Sequence, residues 1–121
     1  MENKCIFCDY KNMKIIAEND LAFAVFDIFP VTKGHTLIIT KEHRKDFFAA
    51  TKEEKGAILD LIDEVKSIVD DKYAPIAYNI GMNCGKAAGQ EIMHLHVHLI
   101  PRYENDTKKP RGGVRGVISK K

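Results

Sequence analysis

The sequence predicts an α+β domain built on an antiparallel sheet. Three observations carry that prediction. Runs rich in aromatic and β-branched residues lie before residue 41 and after residue 75, as strands do. Between them, residues 51–71 space their apolar side chains as one face of a helix. Nothing resembling a long linker or an internal repeat divides the 121 residues, a length that fits one domain. We therefore take 1–121 as a single domain, with a core at about 4–103 and a polar, basic tail over 104–121.

Residues 13–18 (MKIIAE) predict a short strand. Residues 21–28 (LAFAVFDI) suit a buried one, which Pro30 ends. The turn V-T-K-G follows, and residues 35–40 (HTLIIT) return as a hairpin partner. A short helix is expected near Asp46–Ala50. Thr51-x-x-Glu54 then forms a capping box, in which hydroxyl and carboxylate each satisfy an orphan backbone donor. Ile58, Leu61, Ile62, Val65, Ile68 and Val69 make the apolar face of the helix, Asp63, Lys66 and Asp70 lie off it, and Pro75 bars continuation. Residues 76–82 (IAYNIGM) predict a strand. The link N-C-G-K-A-A-G-Q-E leads to the last strand, 93–101. The tail, with Gly112, Gly113 and Gly116, has too few apolar residues to pack by itself.

A net charge of +2 is too small to argue for nucleic acid or an anionic membrane. No window approaches a membrane span, and MENKCIFCDY carries charges where a secretion signal would be apolar. Three cysteines, two of them as Cys5-x-x-Cys8, do not form a secreted disulfide framework. The expectation is a cytoplasmic protein.

Residues 94–100 read H-L-H-V-H-L-I and hold three of the five histidines. On a strand, His94, His96 and His98 share one face, and Leu95, Val97 and Leu99 the other. Neutral imidazoles need a donor and an acceptor each, so three in register are poor core material. Two chemistries suit them: chelation of a metal, or nucleophilic attack at phosphorus by a group with a near-neutral pKa. The glycine-rich link favours the second, because it can turn backbone N–H groups toward an anion, with Lys86 adding charge. It is not a P-loop, since it is one residue short and lacks the Ser/Thr that holds magnesium.

G-Q-E-I-M-H-L-H-V-H-L-I-P-R closely resembles the signature of the histidine triad family of nucleotide hydrolases and transferases. F-D-I-F-P-V-T-K-G-H-T-L-I-I resembles the family's nucleoside-binding hairpin, and C-I-F-C the start of its zinc-bearing members. The resemblance covers nearly all of residues 4–103 and implies a five-stranded antiparallel sheet with one long and one short helix. It implies that His96 attacks the α-phosphorus to form a nucleotidyl-histidine, and that His98 holds a phosphate oxygen. Asn83, Gly89 and the backbone at Glu91 then complete the phosphate site. Asp27 takes the ribose hydroxyls with His35 close by, while Ile28 and Phe26 sandwich the base. Read without the family, Asp27 is a turn former before Pro30. Many phosphoramidase members carry Ser or Thr where Glu91 stands.

Cys5-x-x-Cys8 read without the family is a redox pair, a metal half-site or chance. The resemblance implies structural zinc on Cys5, Cys8, His43 and His94, a closed Cys2His2 set of the kind that suits this ion. Cys84 is read as an inert small residue. The implied activity is hydrolysis of a purine nucleotide, of the AMP or GMP type, bearing a leaving group on its α-phosphate, such as a nucleoside phosphoramidate. Alternatives are cleavage of dinucleoside polyphosphates, nucleotidyl transfer, or a zinc-stabilised nucleotide-binding interaction protein with little turnover. The family also implies a two-fold homodimer, in which Arg111 or Arg115 of the tail could meet phosphate in the partner's site.

Overall fold

Five strands pair into one antiparallel sheet in the order β1-β2-β3-β5-β4. They are β1 (Ala17–Glu18), β2 (Ala22–Phe26), β3 (Thr36–Thr40), β4 (Ala77–Gly81) and β5 (His96–Arg102), with one long helix, α1 (Lys52–Tyr73). The computed structural model describes residues 5–108, 110–112 and 114, so the expectation for Arg115 lies outside the described residues. Among the described residues no helix is long and apolar enough to cross a membrane.

The helix begins where the capping box puts it. The Thr51 hydroxyl accepts from the Glu54 N–H at 3.0 Å, and the Glu54 carboxylate accepts from the Thr51 N–H at 2.8 Å. Glu54 is buried, and Arg44 Nε donates to it at 2.8 Å, so the helix start is tied to the loop after β3. At the other end Ala74 turns left-handed (φ 52°) just before Pro75, which disfavours a helical predecessor.

Period-two alternation gives the sheet two different faces. Ala22, Ala24, Ile38, Val97 and Leu99 pack against Ile58, Leu61, Val65 and Val69 of α1. Leu61, Val65 and Val69 are fully buried, and each such side chain contributes about 1.5–3 kcal/mol. Phe23, Val25, Leu37 and Ile39 point the other way and are covered by Phe7, with Cys5, Tyr10, Met13, Ile15 and Ile92 around them. His96 and His98 belong to that second face, paired across the sheet with Ile39 and Leu37.

Two expectations need correction. The predicted strand over 13–18 shrinks to Ala17–Glu18, because Ile6–Asn12 winds into 3-10 turns, kinked at Asp9, and Met13 and Ile15 cover the second face. The last strand starts at His96, not residue 93, because the Leu95 N–H bonds to the Arg44 carbonyl at 2.7 Å. His94 therefore precedes the strand, although its ring stays on the same side as His96: Phe7 packs against both, at 5.8 and 5.2 Å between ring centroids. The short helix near Asp46–Ala50 is present as a 3-10 turn, Phe47–Ala49, capped by the Asp46 carboxylate.

Candidate functional site

A cavity of about 520 Å³ opens on the second face of the sheet. His96 and His98 line it from β5, and Val25, Phe26 and Leu37 from the hairpin. Register explains the grouping: Val25 pairs with Leu37, and Leu37 with His98, so one row crosses three strands. Asp27, Ile28 and Phe29 follow from the loop after β2, and Asn83, Gly89 and Glu91 from the glycine-rich link. Every expected phosphate-site and base-site residue lies on this lining. His35 stands directly behind it, against His98.

The hydrogen bonds fix which nitrogen of each ring carries its proton. His96 Nδ1 lies 2.8 Å from the His94 carbonyl, so it must be the donor. That leaves His96 Nε2 with a bare lone pair on a ring that lines the cavity. The Val31 N–H donates to His35 Nδ1 at 3.0 Å, so neutral His35 bears its proton on Nε2. His35 Nε2 is 2.9 Å from His98 Nδ1, which therefore accepts, and His98 keeps a proton on Nε2. One ring offers a nucleophile and its neighbour a donor.

Burial enforces the neutral forms. It pushes His98 down to about 4, with the neighbouring His96 and His35 adding to the effect. Burial lowers His96 as well, against its bond to the His94 carbonyl and the Asp27 charge. His35 is lowered by burial and partly restored by Asp27, whose carboxylate is 3.5 Å from His35 Nε2. The nucleophile is thus unprotonated at neutral pH without a base to strip it.

Asp27 also accepts from the Phe29 N–H at 2.9 Å. Its turn-forming role and its place on the cavity wall coexist, because a carboxylate has several acceptor positions. Asp27 and Glu91 are the only carboxylates on the lining, which has no lysine or arginine among the described residues. Lys86, expected to add charge, stands exposed on the 3-10 turn Lys86–Ala88 and does not line the cavity.

A second constellation adjoins the first, with Phe7 packed against a histidine of each. Ligand atoms of Cys5, Cys8, His43 and His94 all fall within 4.8 Å of one another. His94 is fully buried, and its Nε2 donates to the Thr40 carbonyl at 2.8 Å. Its Nδ1 lone pair therefore faces Cys5 Sγ at 3.1 Å and Cys8 Sγ at 3.6 Å. A backbone carbonyl on the far nitrogen is the usual support of a metal-ligating histidine. His43 Nδ1 lies 3.3 Å from Cys8 Sγ. Two thiols and two imidazoles converging this way fit a tetrahedral zinc ion.

Sequence reasoning misses much of the apolar wall. Ile6, Phe7, Met13, Val25, Phe29, Leu37 and Ile92 line the cavity, and none of them is among the expected site residues. Phe7 sits between the two cysteines and packs edge-on against His96, with ring centroids 5.2 Å apart, and against His94 at 5.8 Å. The signal for Val25 and Leu37 is available in strand alternation from Phe23 and His35. Gln90 is missed too. It is buried, accepts from the Gly85 N–H at 2.7 Å and donates to the carbonyls of Lys45 (2.6 Å) and Ile92 (3.0 Å), so it pins the link.

The family model described as the HIT domain matches residues 10–105. The adenosine 5'-monophosphoramidase hnt1 of Schizosaccharomyces pombe is 36% identical over 102 residues, 81% of this chain and 74% of that protein. The crystal structure of a HIT family protein from Bacillus anthracis is similar with a TM-score of 0.80 at 35% identity, covering 88% of this chain and 78% of that one. The structure of a Zn-bound histidine triad family protein from Mycobacterium smegmatis is similar with a TM-score of 0.77 at 29% identity, covering 87% of this chain and 79% of that one.

Proposed function

This chain belongs to the histidine triad (HIT) family, and on that premise we propose that it hydrolyses purine nucleotides at the α-phosphate, with nucleoside phosphoramidates as the substrate class. The observation that carries the reading is the proton arrangement of two adjacent imidazoles. His96 Nδ1–H is held by the His94 carbonyl at 2.8 Å, which frees Nε2 to attack. His98, with its Nδ1 occupied by His35 at 2.9 Å, offers Nε2–H to a phosphate oxygen.

The steps balance. His96 Nε2 forms a bond to phosphorus while the bond from phosphorus to the leaving nitrogen breaks. That electron pair goes to the nitrogen, which takes up a proton from solvent and departs as an amine. Water then attacks phosphorus and gives a proton back to solvent, the P–N bond to His96 breaks with its electron pair returning to Nε2, and the nucleoside monophosphate leaves. The Asn83 amide, the backbone at Gly89 and Glu91 and the His98 N–H hold the oxygens during both transfers. Asp27 accepts from the ribose hydroxyls, and Phe26 and Ile28 flank the base. We assign structural zinc to Cys5, Cys8, His43 and His94, where it would clamp the N-terminal segment to β5. We also read the chain as half of a homodimer: β4 is an edge strand, with Ile80 exposed on it and Ile76 exposed just before it.

Trapping tests the activity. Mixing the protein with an adenosine or guanosine phosphoramidate and quenching under alkali-tolerant conditions should give a nucleotidyl adduct by intact mass, absent in His96→Ala. Tight nucleotide binding with neither adduct nor product would overturn the hydrolase reading in favour of a binding module.

A further inference from the structure

The reading above uses Glu91 only through its backbone, and its carboxylate has no task there. We propose that the Glu91 side chain selects the leaving group by charge, favouring amines that carry a cation and disfavouring those that carry an anion. The proposal deepens the phosphoramidate reading and rests on it.

Three observations lead to it. Glu91 lines the same cavity as Asn83, Gly89, His96 and His98. In the reading above the phosphate is held among those groups, so what hangs from it leaves past a wall that includes Glu91. Next, the charge on that wall is one-sided. The lining carries Asp27 and Glu91 and no lysine or arginine among the described residues. Asp27 is already engaged by the Phe29 N–H and by His35, whereas Glu91 is an exposed residue of the lining. Neutral imidazoles do not offset a carboxylate there.

Last, the backbone that carries Glu91 is held on both sides. Gln90 is buried, its N–H bonds to the Gly85 carbonyl at 3.1 Å, and its side chain donates to the carbonyl of Ile92 at 3.0 Å. A bond from one neighbour of Glu91 to the other fixes where the carboxylate emerges, so its charge acts from a defined place rather than from a swinging loop. Specificity of this kind is a difference between competing substrates, and like charge at the site is its repulsive half. A single exposed carboxylate acting across a few ångströms of wet site is worth about three- to fivefold per unit charge, so about tenfold between a cation and an anion.

The test uses three adenosine 5'-phosphoramidates that share one P–N bond and differ only at the end of a three-carbon amine: N-propyl, N-(3-aminopropyl) and N-(2-carboxyethyl). At low ionic strength kcat/KM should fall in the order ammonium, propyl, carboxylate, with a span of about tenfold that salt compresses. In Glu91→Gln the ratio of the ammonium to the carboxylate compound should shrink to about twofold or less, and in Glu91→Lys it should invert. Turnover with no span in the native protein, or the same span in Glu91→Gln, would overturn the role of Glu91 and leave the His96 mechanism standing. No turnover of the N-propyl compound by the native protein would overturn both.

Discussion

Gly34 and Gly56 make opposite predictions for the same substitution. Gly34 is buried in the turn before β3 with φ +89°, a conformation an L-residue enters at a cost of about 1–2 kcal/mol. A Cβ there would stand 3.0 Å from Tyr73 Cδ2, 3.1 Å from Val69 Cγ1 and 3.2 Å from Pro101 Cγ. Overpacking of that kind adds about 1–3 kcal/mol. Gly34→Ala should therefore lose about 2–5 kcal/mol, and at about 4 °C per kcal/mol for a chain this size the Tm should drop by about 8–20 °C. Gly56 lies exposed in α1, and a Cβ there meets nothing within 4 Å. Gly56→Ala should raise stability by about 1 kcal/mol through helix propensity alone. Urea unfolding followed by far-ultraviolet circular dichroism on both variants reads the two signs in one experiment. Destabilisation of Gly34→Ala below about 0.5 kcal/mol, the ordinary scatter of surface changes, would refute the argument from φ and contact. The next residue is His35, so the same variant should also weaken nucleotide binding.

Metal and pH provide two further expectations. Chelation of zinc, or Cys5→Ser, should lower the Tm by about 10 °C, since a ligand at a hundred times its Kd contributes about 2.7 kcal/mol to the folded state; metal analysis finding no zinc in a fully folded preparation would refute the Cys2His2 assignment. His98 is held at about 4 in the folded protein, below the ordinary 6.5. As pH falls from 6.5 toward 4 the unfolded chain takes a proton that the folded site refuses, so stability should be lost across that window, by up to about 3 kcal/mol from this group. His96 and His35 shift in the same direction and deepen the loss. A urea midpoint that stays flat from neutral pH down to about 4.5 would contradict it.

Local signals are legible where one residue type does one job. The capping box at Thr51 and Glu54, the apolar face of α1 and the return of residues 35–40 against 21–28 follow from propensity and period, and each is found close to its expected bounds. The N-terminal stretch is not legible in this way. Met13 and Ile15 have strand-like chemistry, but they cover the second sheet face from the irregular stretch after the 3-10 turns, and tertiary packing decides between those uses. The residues of the cavity are legible on one side only. Those on named motifs are visible, while Phe7, Met13 and Ile92 read as ordinary apolar residues until the fold brings distant segments onto one face. Gln90 illustrates a harder limit: its three side-chain bonds reach Gly85, Lys45 and Ile92, and no local pattern encodes that reach.

The histidine run shows what alternation alone leaves out. A strict strand from residue 93 would put three equivalent imidazoles in a row, differing only in exposure. The chain instead gives the Leu95 N–H to the Arg44 carbonyl, and that single departure from the ladder makes the rings inequivalent. His94 is left to turn into the cysteines, with its Nε2 on the Thr40 carbonyl. Its own carbonyl remains beside the strand and takes the Nδ1 proton of His96. The same residue thus directs a lone pair toward two sulfurs with its side chain and a second lone pair, that of His96 Nε2, toward the cavity with its backbone. Anything that shifts His94, whether a change at Cys5 or displacement of the Arg44 carbonyl that holds Leu95, acts on the nucleophile through one 2.8 Å hydrogen bond. The division of labour between a Cys/His cluster and a phosphate site therefore follows from the placement of one peptide unit, and the identity of the neighbouring residues does the rest.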